Sequence, residues 1–222
     1  MKIAILSDVH ANLPALKSVL AHARARGVRE FWDLGDMTGY SPFPDECARL
    51  LQKTCRFFVR GNYDEKVISE KTIAEIKQSS KDKDKIFSFV WSHQNLSKAS
   101  AAFIRNVPQE IRIDCEGFKF FLIHQEPLKP KKADVVLCGH THVFKDKKKA
   151  GVRVINPGSI GRAFDNDYRA SYVILSVKKG TLGIFHYRVP YDQKPLLKKM
   201  AREHFPARII RSVVEGLSLE DL

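Results

Sequence analysis

Two short apolar runs that each end in metal-binding side chains constrain this chain more than any other feature. Residues 3–6 have the pattern of a buried strand and are followed by Asp8 and His10. Residues 135–138 have the same pattern and lead into Gly139-His140-Thr141-His142. Carboxylates combined with imidazoles suit Mn, Fe, Zn or Ni. The sequence therefore predicts strand ends that converge on a metal site, as in an enzyme that uses metal-bound water.

Strand and helix patterns alternate in the first third of the chain. Apolar runs at 2–6, 30–34 and 56–59 predict strands, with helices beginning near Pro14 and Pro44. This spacing favours βαβ units and a parallel sheet. We therefore predict the α/β class.

The pattern changes twice further along the chain. Residues 65–106 are polar and helical without strand signals, which predicts a helical cap insertion beside the site. Strand patterns fill 110–187, and the tail at 192–222 has helical stripes broken at Pro206. Those stripes predict packing against the body or against a second copy in a homo-oligomer. The length of 222 residues favours one domain, 1–222.

The charge of the chain is strongly positive. Lys and Arg total 38 against 25 Asp and Glu, a formal net charge of +13. Such a field favours anionic partners such as phosphate esters or nucleic acid. The alternative is an ordinary charged surface, because the runs at 81–85 and 145–149 alternate or crowd charges as solvated loops do.

Cysteine spacing and hydropathy indicate a cytoplasmic protein with no membrane partner. The four cysteines form no C-x-x-C pair and no short framework, so we expect reduced thiols. No apolar stretch approaches the ~20 residues that span a bilayer.

Seven side chains directly follow predicted strands and form the candidate ligand set. In an open α/β sheet such positions converge at one edge. Asp36 is the natural bridge, since one carboxylate can reach two cations about 3.5–4 Å apart. The candidate ligands are Asp8, His10, Asp36, Asn62, His124, His140 and His142.

Each candidate ligand also has a structural explanation when it is taken alone. Asp8 could cap the following helix, His124 could be a core histidine, and Gly61-Asn62 could be a simple turn. The metal site is favoured because all of them fall at strand ends in the same phase. The pair His140 and His142 is the hardest to explain by packing.

Six blocks, in chain order, carry a resemblance to one family. The first five resemble the signatures of the calcineurin-like metallophosphoesterase superfamily, and the sixth resembles a block of its small bacterial and archaeal phosphodiesterase branch. The blocks are Asp8-Val9-His10, Gly35-Asp36, Gly61-Asn62-Tyr63-Asp64, His124, Gly139-His140-Thr141-His142 and Asn156-Pro157-Gly158-Ser159.

The resemblance implies a four-layer α/β/β/α sandwich with two divalent transition-metal ions at the strand ends, manganese being the first expectation. It implies that one metal takes Asp8, His10, Asp36 and His142. The other would take Asp36, Asn62, His124 and His140.

One departure from the family pattern affects the expected chemistry. Many relatives have a proton-donating His after Gly-Asn, where this chain has Tyr63. A phenol with a pKa near 10 is a poor proton donor, so good leaving groups should be preferred. Asp36, Asn62 and Tyr63 are the expected catalytic residues. Arg60 and Arg162 are candidates for binding the phosphate, although each could equally be a surface arginine.

The leading hypothesis is a phosphodiesterase that hydrolyses small phosphate esters by attack of a metal-bridging hydroxide. A nuclease is the first alternative; nucleic acid is less favoured, because no interleaved aromatic and basic platform is visible. The second alternative is a non-catalytic scaffold of the same fold, which metal content would exclude.

Overall fold

A computed structural model of the chain describes residues 1–69, 73–78, 81–129 and 132–222, with no side-chain description for Ile73. Parts of the predicted insertion, 70–72 and 79–80, lie outside the described residues. Strands are β1 (Lys2–Leu6), β2 (Glu30–Asp33), β3 (Phe57–Phe58), β4 (Glu110–Cys115), β5 (Phe118–Ile123), β6 (Val135–Leu137), β7 (Phe144–Lys149), β8 (Val152–Pro157), β9 (Ala170–Lys178) and β10 (Thr181–Val189). Helices are α1 (Leu13–Ala25), α2 (Pro44–Thr54), α3 (Asn62–Val67), α4 (Ile73–Gln78), α5 (Lys83–Asn95), α6 (Lys98–Asn106), α7 (Lys194–Arg202) and α8 (Ala207–Glu215).

The strands form two five-stranded sheets, ordered β10-β9-β1-β2-β3 and β4-β5-β6-β8-β7. In the first sheet β1, β2 and β3 are parallel, and in the second β5, β6 and β8 are parallel. The remaining strands pair antiparallel, so both sheets are mixed. The α/β class is confirmed, with helices flanking a pair of sheets.

Apolar side chains between the two sheets form one core. Ile5 and Trp32 from the first sheet meet Phe120 and Leu137 from the second, all buried. A second core lies on the helix side of the first sheet and includes Leu16 of α1. Strands buried on both faces explain the continuous apolar runs in the sequence.

The tail is part of the helix-side core. Leu196 and Met200 of α7 and Ile209 and Val213 of α8 are fully or almost fully buried there. Of the helices in the described part of the chain, none combines the length and the apolar character that crossing a bilayer requires.

The charged run at 145–149 belongs to a strand, and its side chains are half-buried or exposed, as on an ordinary charged surface. These residues belong to β7, which lies at the edge of the second sheet. Lysines on an edge strand discourage pairing with other chains. Glu126 lies 3.3 Å from the Lys145 ammonium and 3.0 Å from that of Lys147.

Candidate metal centre

The carboxyl ends of the parallel strands of both sheets bring the candidate ligands together. Asp8, His10, Asp36 and His142 are buried, and one ligand atom from each lies within 4.8 Å of the others. Asp8 and His10 follow β1 and Asp36 follows β2, whereas His142 follows β6 of the other sheet. Two carboxylates and two imidazoles therefore share one small volume.

A second group of ligand atoms surrounds Asn62, which begins α3 just after β3. The Asn62 Oδ1 atom lies 3.0 Å from His124 Nε2 and 2.9 Å from His140 Nδ1. Asp36 joins the two groups: its Oδ2 atom lies 3.4 Å from His124 Nε2 and 3.7 Å from His10 Nε2. This is the placement that a bridging carboxylate needs.

The ring nitrogens of His10 and His142 point their lone pairs toward each other. His10 Nδ1 donates to the Thr38 carbonyl at 3.0 Å, and His142 Nδ1 donates to the Arg162 carbonyl. A carbonyl can only accept, so each Nδ1 carries the hydrogen and each neutral ring presents a bare Nε2. The two Nε2 atoms are 3.1 Å apart. Such a contact between acceptors is stable only with a proton or a cation beside it.

His124, in the second group, also has an acceptor nitrogen that faces other acceptors. Its Nδ1 donates to the Leu34 carbonyl at 2.8 Å, so the neutral ring offers only an acceptor at Nε2. That acceptor faces the Asn62 oxygen and the Asp36 carboxylate, which also only accept. Three acceptors converging on one point fit a cation, because it satisfies all of them at once.

The electrostatics reflect this crowding. Burial lowers the pKa of His10 to about 3, helped by the neighbouring His142, so His10 stays neutral and able to bind a cation. Burial would also lower the pKa of His124, but the charge and hydrogen bond of Asp36 outweigh it and raise that pKa to about 10, so without a cation the ring holds a proton on Nε2 that a bound cation would replace. For Asp8, burial is outweighed by His142, and the pKa of Asp8 falls well below its usual range.

Five of the seven candidate ligands have left-handed backbone conformations. The φ angles are 52° for Asp8, 45° for His10, 56° for Asp36, 71° for His140 and 60° for His142. Non-glycine residues rarely adopt such angles, which cost energy and cluster at functional sites. Sharp turns directly after the strands aim these side chains inward.

Glycine permits the close approach of the site loops at two points. A Cβ atom on Gly61 would lie 2.1 Å from Asp36 Oδ1, and one on Gly139 would lie 1.9 Å from Ser7 Oγ. Real Cβ atoms do not approach so closely, so any other residue would push the loops apart. The glycines of the sequence blocks thus have a steric role.

Tyr63 lies beside the centre and holds Asp36. Its backbone N–H donates to Asp36 Oδ1 at 2.8 Å, and its hydroxyl contacts the Tyr40 hydroxyl. Burial, with the adjacent Tyr40, raises the pKa of Tyr63 far above its usual range. Asp64 points away and accepts from the backbone of Met37, 3.3 Å away, so it fixes the loop after β2.

A cavity of about 210 Å³ opens onto the centre. Arg162, predicted to bind phosphate, lines it; the guanidinium lies 3.8 Å from the centroid of the Tyr40 ring, and Nε donates to Ser212 Oγ at 2.7 Å. Arg60 is not among the described residues that line the cavity. Its guanidinium donates to the Arg105 carbonyl at 2.9 Å instead.

Sequence reasoning missed several residues of the cavity wall. Tyr40, in the stretch that follows the Asp36 block, was not named as a site residue, and Lys85 was hidden in a charged run. No motif marked Phe164, although its ring stacks on His142 at 4.0 Å. Residues 218–220 also line the cavity, which only the packing of the tail reveals.

The two sheets, with acid and histidine ligands gathered at their carboxyl ends, define a metallophosphoesterase fold. The family model for the calcineurin-like phosphoesterase superfamily domain matches residues 1–180. The chain belongs to this superfamily.

Individual proteins resemble nearly the whole chain. The uncharacterized protein MJ0912 of Methanocaldococcus jannaschii is 26% identical over 234 residues, covering 92% of this chain and 93% of the relative. A metallophosphoesterase structure from Sphaerobacter thermophilus has a TM-score of 0.79 at 25% identity, covering 98% and 99% of the two chains. The hypothetical protein PH1004 of Pyrococcus horikoshii OT3 has the same fold, with a TM-score of 0.85 at 20% identity and coverage of 97% and 98%.

Proposed function

We propose that this protein is a metal-dependent phosphodiesterase that holds two divalent cations at the strand ends. One cation is assigned to Asp8, His10, Asp36 and His142, and the other to Asp36, Asn62, His124 and His140. The observation that carries the proposal is the convergence of lone pairs, with His10 Nε2 and His142 Nε2 3.1 Å apart and His124 Nε2 3.0 Å from Asn62 Oδ1. Only a cation satisfies both groups without protonating the rings.

The donor set supports manganese, with Fe, Zn or Ni as alternatives, because carboxylate and amide oxygens accompany imidazoles, and the buried ligand cluster found among the described residues contains no cysteine. When bound, two such cations supply Lewis-acid stabilisation of the phosphoryl oxygens and an activated water. The chain's own contribution is orientation. Backbone carbonyls fix the histidine tautomers, and the Tyr63 N–H fixes the Asp36 carboxylate.

Arg162 is assigned to the phosphate of the substrate. Its guanidinium lies over the Tyr40 and Phe164 rings in the cavity wall, which holds the plane of the fork in place. A guanidinium can donate two parallel hydrogen bonds to phosphate oxygens. Arg60 faces elsewhere, so we assign it no role in substrate binding.

The size of the cavity supports a small ester over a nucleic acid. Its volume of about 210 Å³ is below the range typical of sites for drug-sized ligands, roughly 300–1,000 Å³. Residues 218–220 form part of its wall. A nuclease would need an open groove for a polymer. The complete ligand set also argues against a non-catalytic scaffold.

Hydrolysis of bis(p-nitrophenyl) phosphate with added manganese tests the proposal. We expect turnover that a chelator abolishes, and a rate on p-nitrophenyl phosphate, a monoester, that is lower. His140→Gln should lower kcat/KM at least ~100-fold, since loss of supporting residues alone costs up to that much. His22→Gln, far from the centre, is the control. A protein that binds manganese but hydrolyses neither ester would refute the proposal.

A further inference from the structure

Helix α5 and the tail meet at the mouth of the cavity. Lys85, in the first turn of α5, lines the cavity together with Ser218, Leu219 and Glu220 of the tail. Lys85 thus faces the same cavity as Arg162 and Asn62, although it comes from the insertion. Lys85, the last residue of the charged run 81–85, is therefore part of the cavity wall.

The members of this run divide into two roles. Asp82 and Asp84 carry carboxylates 3.3 and 3.5 Å from Arg208 Nη1, which ties the start of α5 to α8. Asp82 also caps α5 by accepting from the Lys85 N–H at 3.2 Å. The acidic residues therefore fix the backbone, and this fixed backbone directs the Lys85 side chain into the cavity.

The acidic neighbour of Lys85 is held only weakly. Glu220 Oε1 lies 3.5 Å from Lys85 Nζ, and the Glu220 side chain is 83% exposed, whereas that of Lys85 is 31% exposed. An ion pair with one partner in open solvent stabilises little, because water and salt screen it. A dianionic ligand group entering the cavity would displace the Glu220 carboxylate.

We propose that Lys85 determines specificity by binding a second anionic group of the substrate. The inference rests on the proposed function, in which Arg162 and the metal side of the cavity take the phosphodiester. The substrate class is then a small phosphodiester with a further phosphate or phosphonate group. That group is carried by the alcohol that remains esterified to phosphorus after hydrolysis. Without substrate, the Glu220 carboxylate occupies the position of that group.

Two matched esters test this specificity. Ethyl p-nitrophenyl phosphate and 2-phosphonoethyl p-nitrophenyl phosphate share the scissile bond and differ by one anionic group. In each, water adds to phosphorus, the P–O bond to the aryl group breaks, and p-nitrophenolate leaves. We expect kcat/KM to be about tenfold higher for the phosphonoethyl ester, mainly through a lower KM, because the extra contact forms on binding.

Substitution of Lys85 then assigns the preference to one residue. In Lys85→Met the ratio of the two kcat/KM values should fall by about tenfold. Lys83→Met is the control. This substitution removes the same charge from the same helical turn, but Lys83 does not belong to the cavity wall. A ratio that falls equally in both variants would show a general charge effect and overturn the inference.

Glu220 provides a second variant at an exposed position, where folding is not at risk. Glu220→Gln should raise the ratio two- to fivefold by removing the competing carboxylate. Glu215→Gln, on the exposed side of α8, makes the same change in net charge and should leave the ratio of the two kcat/KM values unaltered. Equal hydrolysis of both esters by the unaltered protein would overturn the Lys85 assignment alone. Hydrolysis of neither would overturn the proposed function and this inference with it.

Discussion

Tyr63 lies beside the candidate metal centre, and we propose that it limits which leaving groups the centre can serve. Its ring lies among Tyr40, Phe89 and His10, with centroid distances of 4.8, 4.8 and 5.1 Å. Burial raises the pKa of Tyr63, so its hydroxyl keeps its proton and can donate a hydrogen bond but does not release the proton readily. A leaving group that departs as a stable aryloxide needs no more than that.

We predict that Tyr63→His raises kcat on alkyl diesters by about tenfold and leaves aryl diesters nearly unchanged. The gain is part of the ~10²–10⁴-fold benefit of general acid catalysis. Steady-state kinetics on a series of leaving groups measures it as a shallower dependence of rate on the leaving-group pKa. Tyr63→Phe, which cannot donate, is the control. If the rate depends equally on leaving-group pKa in the unaltered protein, Tyr63→His and Tyr63→Phe, the proton donor lies elsewhere.

The convergence of the candidate ligands could be predicted from sequence because most of them lie just after a short strand. The turn after a strand is local, so Asp8, Asp36 and His142 are visible in sequence. Lys85 and Phe164 were missed because their position depends on tertiary packing. Arg60 and Arg162 looked equivalent in sequence, yet only Arg162 lies on the side of its loop that faces the cavity.

At the scale of elements, Gly216 controls the end of α8 and the path of the tail into the cavity wall. Its φ angle is 71°, and a Cβ atom there would lie 2.8 Å from the Asp167 backbone. Both the left-handed conformation and the close contact require glycine. The residues that follow, 218–220, line the cavity.

We predict that Gly216→Ala lowers the free energy of unfolding by at least about 2 kcal/mol, because strain and a steric clash add. Gly180→Ala is the matched control: its φ is 75°, but nothing lies within 4 Å of the added Cβ. The control should cost only the left-handed strain, about 1 kcal/mol. Urea unfolding of both variants measures the difference. Equal losses of unfolding free energy would show that the backbone at Asp167 moves away from the added Cβ without a measurable penalty.

The elements themselves were predicted well where a pattern was strong. The strands predicted at 2–6 and 30–34 match β1 and β2 within one residue, because buried faces impose clear periods. Strand β3 is shorter than expected, covering Phe57–Phe58. The run of lysines hid the second half of β7, since edge strands carry charges that resemble those of loops.

For the whole molecule, His186 joins the two sheets. It lies on β10 of the first sheet, and its ring stacks on Phe144 of the second sheet at 3.9 Å. Its Nε2 atom is 2.7 Å from Ser171 Oγ, which itself donates to the Pro157 carbonyl of the second sheet at 2.6 Å. Burial and the nearby Arg188 lower the pKa of His186 to about 4, while Asp165 opposes them weakly.

The stability of the protein should therefore fall as the pH falls from about 6.5 toward 4. The unfolded chain protonates this histidine near its ordinary pKa of 6.5, whereas the folded protein resists protonation until about 4. After allowance for the half-exposed ring, we expect about 1 kcal/mol of loss between pH 7 and pH 5. Urea unfolding at pH 7 and pH 5 measures this loss, and in His186→Gln the part that His186 contributes should be absent. An unchanged pH dependence would show that His186 is not responsible.

The pairing of two sheets was beyond pattern reasoning from the residues. The alternation of strands and helices predicted a parallel sheet, but the structure distributes the parallel strands over two mixed sheets. Which strands share a sheet depends on long-range contacts, as between β1 and β9. The convergence of strand ends was predictable because it follows from strand direction in either sheet.

Two cations should share this one centre, with Asp36 between them. Elemental analysis after manganese loading tests this arrangement most directly, comparing the unaltered protein with Asp36→Asn and Asp33→Asn. Asp33 is a matched control: it is buried near the same strand end, burial and Asp64 raise its pKa, and it is no candidate ligand. We predict close to two manganese ions per chain, retained in Asp33→Asn and reduced to below one in Asp36→Asn. A single ion that Asp36→Asn leaves in place would show that Asp36 does not bridge two cations.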